Sequence, residues 1–145
     1  MKFIVNQVTD DQVTVVVPGT NYRSTFKYAG AAPLQVGQRV NAMVHAPARK
    51  IEVVSDGGNY VEPLFGRPRR MQGRVVEQHP KTSELLVQAG YPVRVKLPHG
   101  QTVADFPVGS RVGWDNADWP LLEVEAKAVM AGGRIPVGLT ATPGA

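Results

Sequence analysis

None of the 145 residues is a cysteine, which removes disulfides, zinc–thiolate sites and thiol nucleophiles from consideration. No stretch approaches the roughly 18 apolar residues of a membrane-spanning helix. The apolar run at the start, in Met1 to Gln7, is too short for a signal peptide. A cytoplasmic protein is therefore expected. The chain also lacks a Gly-x-x-x-x-Gly-Lys phosphate loop, a dinucleotide fingerprint and a Gly-x-Ser-x-Gly elbow. His45, His79 and His99 are scattered, with no partner at metal-binding or triad spacing. Asp115, Asn116 and Asp118 are too few and too close for a calcium loop, and they read as turn residues. No catalytic residue, metal site or cofactor is expected.

Apolar residues make up 43% of the chain, enough for a packed core, and glycine (15) with proline (12) supplies frequent turns. The apolar period is two. Val13, Val15 and Val17 share one parity, as do Tyr22, Ser24, Phe26 and Tyr28, with Arg23, Thr25 and Lys27 on the other. Val40, Ala42 and Val44 follow, then Ile51 and Val53. Further on, Val93, Val95 and Leu97 alternate with Arg94 and Lys96. Such alternation marks strands with one face on a core and one in water.

An internal repeat organises these strands. Val36-Gly37-Gln38-Arg39-Val40 returns as Val108-Gly109-Ser110-Arg111-Val112, and Ile51-Glu52-Val53 returns as Leu122-Glu123-Val124. Upstream, Val13-Thr14-Val15 aligns with Leu85-Leu86-Val87. With Phe3 to Val8 and Gln72 to Glu77 as first strands, each copy has five. Five short antiparallel strands hide their edges by closing into a barrel. The expected fold is thus all-β: two five-stranded antiparallel barrels in tandem, of the oligonucleotide/oligosaccharide-binding (OB) type or, alternatively, a Src-homology-type barrel. The expected divisions are residues 1–56 (first barrel), 57–71 (linker), 72–126 (second barrel) and 127–145 (a mobile tail). Gly73-Arg74-Val75, the run Val93 to Gly100 and Val108-Gly109-Ser110-Arg111-Val112 resemble the initiation-factor-one and cold-shock group of barrels. That resemblance implies an OB-like fold and binding of nucleic acid.

Charge is unevenly spread. Residues 1–60 carry six basic and four acidic side chains, residues 61–74 four arginines against Glu62, and residues 75–126 four basic and seven acidic. Arg67, Arg69, Arg70 and Arg74, with Arg23 and Lys27 of the first unit, form the candidate set for phosphates. The expected function is a non-catalytic module binding RNA or single-stranded DNA. The competing use of those arginines is pairing with acids of the second unit, such as Asp115. Tyr22, Phe26 and Tyr28 have the parity of a core rather than a stacking platform. The linker is too apolar for a purely solvated one, and Tyr60 and Phe65, with Trp119, are the candidate contacts for a protein partner. The acidic second unit favours that alternative, an interaction or assembly module.

Overall fold

The computed structural model describes residues 1–30 and 32–125. The expected tail at 127–145 lies outside them. The described chain is all-β, as expected, with eleven strands and two single-turn 3-10 segments at Pro80–Thr82 and Val103–Asp105. The strands are β1 (Lys2–Val8), β2 (Gln12–Val16), β3 (Arg23–Ala29), β4 (Arg39–Val53), β5 (Tyr60–Glu62), β6 (Phe65–Gly66), β7 (Arg70–His79), β8 (Glu84–Gln88), β9 (Pro92–Lys96), β10 (Arg111–Asn116) and β11 (Leu121–Val124). The predicted parity holds: Val13, Val15, Ser24 and Phe26 are buried, while Arg23 and Lys27 are exposed.

All strands join one mixed sheet, rather than the purely antiparallel ones expected. β3 runs parallel to β11 and to β6, and β4 runs parallel to β9. The pairings form two closed circuits. In the first, β1 pairs with β2, β2 with β3, β3 with β11, β11 with β4, and β4 with β1. In the second, β7 pairs with β8, β8 with β9, β9 with β4, β4 with β10, and β10 with β7. β4 belongs to both.

That sharing follows from a strand longer than expected. Two segments, around Val40–Val44 and Ile51–Val53, were anticipated with a break between them. Instead β4 runs unbroken for 15 residues, because the alternation continues through buried Ala46 and Ala48. Pro47 does not interrupt it. On that edge β10 ends opposite Ala48 and β11 begins opposite His45, so the missing N–H falls where partners change. The Pro47 carbonyl instead accepts from Ala117 N–H at 2.7 Å, in the short β10–β11 connection. Where β9 runs out on the other edge, the Gln101 side chain takes over. It accepts from Ile51 N–H and donates to Ile51 C=O, both at 2.8 Å.

The consequence is a reciprocal exchange across the expected boundary between the units. The last strand of the second unit, β11, closes the first circuit, and the far half of β4 closes the second. The β8–β9 hairpin adds a further interlock. Its Tyr91, fully buried, meets Phe3, Tyr22 and Phe26 edge-on at 5.7–6.0 Å, all from the first unit. Its hydroxyl shares a 2.8 Å hydrogen bond with the buried Ser24 hydroxyl. Burial raises the Tyr91 phenol far above its ordinary range, against the smaller lowering effect of the Ser24 hydrogen bond.

The linker is strapped down rather than loose. β5 pairs with β7 and β6 with β3, so the 57–71 segment joins both circuits. Val61 is buried and its N–H donates to the Tyr22 hydroxyl at 3.1 Å. Gly57 and Gly58 bend the chain at positive φ, and buried Gln72 pins the bend by donating to the carbonyls of Asp56 and Gly58. The glycine of Gly73-Arg74-Val75 has a steric reason: a methyl group there would sit 2.0 Å from the Gln88 carbonyl oxygen.

Candidate nucleic-acid interface

The outward face of the β2–β3 pair is built by register. Gln12 lies opposite Lys27, Thr14 opposite Thr25, and Val16 opposite Arg23. Thr14 and Thr25 share a hydrogen bond of 2.8 Å across the strands, a pair that stiffens the face by a few tenths of a kcal/mol or more. The free edge of β3 is covered in two pieces. β6 pairs at Arg23 and Ser24, and β11 pairs from Lys27 onward, preceded by a 3.0 Å bond from Lys27 N–H to the Pro120 carbonyl.

Each piece brings an aromatic ring that lies against an arginine. The Arg23 guanidinium lies 5.2 Å from the centroid of Phe65, a ring 58% exposed. Arg67, which directly follows β6, lies 4.7 Å from the centroid of Trp119, two residues before β11. Both are within cation–π range. Trp119 is oriented by its own turn, its N–H donating to Asp118 Oδ1 at 2.7 Å. Trp114 and Asn116 anchor that turn from inside, through indole Nε1 to Asn116 Oδ1 at 2.8 Å and Asn116 Nδ2 to the Pro68 carbonyl at 3.1 Å.

The arginine cluster divides. Arg67 joins Arg23 and Lys27 along β3. Arg70 does not: its Nη1 is 3.3 Å from Asp115 Oδ1, the pairing anticipated as the competing use. The Tyr60 phenol and, after it, Asp115 hold the Arg70 guanidinium above its ordinary pKa against the effect of burial. Arg74 donates to the Gly109 carbonyl at 2.6 Å. Arg69 has an exposed side chain, and its backbone bonds to Glu62 and Asn116. Tyr60, a candidate partner contact, is half-buried and donates to Gln72 Oε1 at 3.2 Å. Among the described residues no carboxylate lies within 4.0 Å of Arg23, Lys27 or Arg67.

The matching face of the second circuit is neutralised. There β8 and β9 place Leu86 opposite Arg94 and Glu84 opposite Lys96, and Arg94 Nε sits 2.7 Å from Glu84 Oε1. Burial pushes the Glu84 carboxyl up, but hydrogen bonds from Arg94 and Thr82 and the charges of Arg94 and His45 outweigh it. The net shift is below the usual carboxylate range. A depressed folded-state pKa adds stability above the unfolded value of about 4.3 and loses it as pH falls through the folded value. Glu84→Gln is therefore expected to cost roughly 0.5–1 kcal/mol at neutral pH, with the gap to wild type closing in acid. Urea midpoints at several pH values check this, and a pH-independent difference would refute it.

Among the described residues no group of three or more acidic or histidine side chains is placed to hold a metal, and no helix is long and apolar enough to cross a membrane. No protein-family model, curated protein or solved structure matches the chain. Sequence reasoning found Arg23, Lys27, Arg67, Phe65 and Trp119 singly. It missed that the β6 and β11 pairings would gather them along one strand. It also missed the Thr14–Thr25 pair, for which the polar parity of β2 and β3 was the only signal, and Asn21, just ahead of β3, for which there was none.

Proposed function

We propose that the two circuits are small OB-type barrels, and that the first binds RNA or single-stranded DNA along β3. Three observations support the barrel reading. Each circuit has five strands, counting the exchanged one, and each closes through a parallel contact between the third strand of its own unit and the exchanged strand, a connectivity of the OB Greek-key kind. The first strands share a bulge, between Val5 and Gln7 and between Val75 and Glu77. The bonds beside it also recur: Val5 N–H to Gln38 C=O and Gly37 N–H to Val5 C=O, against Val75 N–H to Ser110 C=O and Gly109 N–H to Val75 C=O. The last two favour an internal repeat.

The observation that carries the binding reading is the strip Arg23–Phe65, Lys27, Arg67–Trp119, whose three cations have no carboxylate within 4.0 Å among the described residues. Cations neutralise phosphates and release counterions, while aromatic and guanidinium planes accept unpaired bases of any sequence. In OB barrels this second- and third-strand face is the binding face. Its partner face in the second barrel is closed by Arg94–Glu84, so one barrel binds and the other braces.

Fluorescence anisotropy with labelled single-stranded RNA and DNA tests this. Three phosphate contacts on a single strand correspond to a slope of log K against log salt of about −2. Lys27→Gln is expected to reduce that slope by about 0.7, while Lys81→Gln, on the exposed turn after β7, leaves it unchanged. Absence of binding at low salt would sink the proposal.

A further inference from the structure

A groove of about 320 Å³ opens beside Phe65, lined by Val16, Thr20, Asn21, Tyr22, Arg23, Leu64 and Phe65. Its construction is deliberate in a physical sense. Arg23 N–H donates to the Leu64 carbonyl at 3.0 Å, fixing β6 against β3. Thr20 holds the approach to β3, donating to the Val17 carbonyl at 2.9 Å and accepting from Tyr22 N–H at 3.1 Å. The Tyr22 hydroxyl is engaged by Val61. Leu64 and Phe65 are nonetheless 43% and 58% exposed, although the strands around them are firmly paired. The Asn21 side chain, at the rim, makes no protein hydrogen bond among the described residues.

We infer that this groove receives one unpaired nucleobase, which stacks on Phe65 while the Asn21 amide addresses its edge. The inference rests on the nucleic-acid reading above and makes it specific. The ligand chemistry follows from the lining. An exposed aromatic ring with a guanidinium over it favours a planar ring next to a negative charge, which is what a base attached to its phosphate supplies. A carboxamide carries both a donor and an acceptor, matching the mixed edge of a base. A purely apolar occupant would leave Asn21 and Arg23 unserved. A free phosphate would leave Leu64 and Phe65 unserved.

The test uses the full-length chain with three probes: a labelled oligothymidine, the matching oligouridine, and an abasic strand of the same length. Wild type is expected to bind the base-bearing strands about tenfold or more tightly than the abasic one. Phe65→Ala is expected to remove most of that preference while keeping the salt slope, since Arg23, Lys27 and Arg67 remain. Asn21→Ala should lower affinity for base-bearing strands only, by a few fold. Both residues are exposed, so the variants are expected to fold, with circular dichroism as the check. If wild type binds with the expected salt dependence but does not discriminate against the abasic strand, the groove assignment is overturned and the phosphate-binding strip stands. Unaltered binding by both variants has the same meaning. If wild type binds none of the strands, the nucleic-acid reading fails and the groove with it.

Discussion

Tyr91→Ala is expected to destabilise the protein by roughly 3–5 kcal/mol, the cost of emptying a large aromatic site that neighbours cannot refill. Against a total stability of ~5–15 kcal/mol, that is enough to leave a substantial unfolded population on warming. The argument is positional. Tyr91 sits on the β8–β9 hairpin, but its ring is enclosed by Phe3, Tyr22 and Phe26 of the first circuit. Removing it damages a core on the other side of the expected boundary. Tyr91→Phe keeps the ring and strips only the hydroxyl, leaving Ser24 buried without its partner; about 1–3 kcal/mol is expected. Differential scanning calorimetry checks both. A single transition lowered as a whole is the expected result. Two separated transitions, with only one shifted, would show that the circuits melt independently and that the interlock is energetically idle.

The second large effect concerns division of the chain between Gly57 and Gly58, in a turn exposed to solvent. Were the halves ordinary neighbours, each would keep its own structure. The strand pairings dictate otherwise. Residues 1–57 lack β11, so β3 would have little on one edge and β4 would lose its partner at Ala42–His45. The remainder lacks β4, so β9 and β10 would both face water where they now face Val44–Val53. Each half alone is expected to show no cooperative unfolding transition and to aggregate through its open strand edges. Mixing the two halves is expected to restore a transition with one-to-one stoichiometry and a midpoint that rises with concentration. Circular dichroism melts of the separate and mixed halves provide the measurement. A sharp melt from either half by itself would contradict the exchange.

Much of the secondary structure was legible because burial imposes a period of two on each strand, whatever its partners. Thus Val13, Val15 and Phe26 could be placed inside and Arg23 and Lys27 outside. The Gly-x-Val and Val-Gly signals were readable for similar local reasons: Gly73 is forced by backbone crowding, and Gly37 and Gly109 by positive φ. Pairing partners were not legible, since nothing in Leu121–Val124 announces that it lies against β3 rather than β9. Pro47 lies in mid-strand, and the change of neighbours at that point lets β4 continue through it. The arginine cluster shows the same limit. Four arginines close in sequence have four different fates, because each depends on what a distant segment places opposite: Trp119, Asp115, the Gly109 carbonyl or solvent.

The exchanged closure also sets an order on the molecule's birth. A ribosome makes β1 to β4 first, yet the strand that completes their circuit is the last described one to emerge. Until Leu121–Val124 leaves the ribosome, the nascent first half must wait with two unsatisfied strand edges, open to other chains and to chaperones. Folding during synthesis can thus begin with the β2–β3 hairpin, but it can finish only after nearly all of the described chain has been translated.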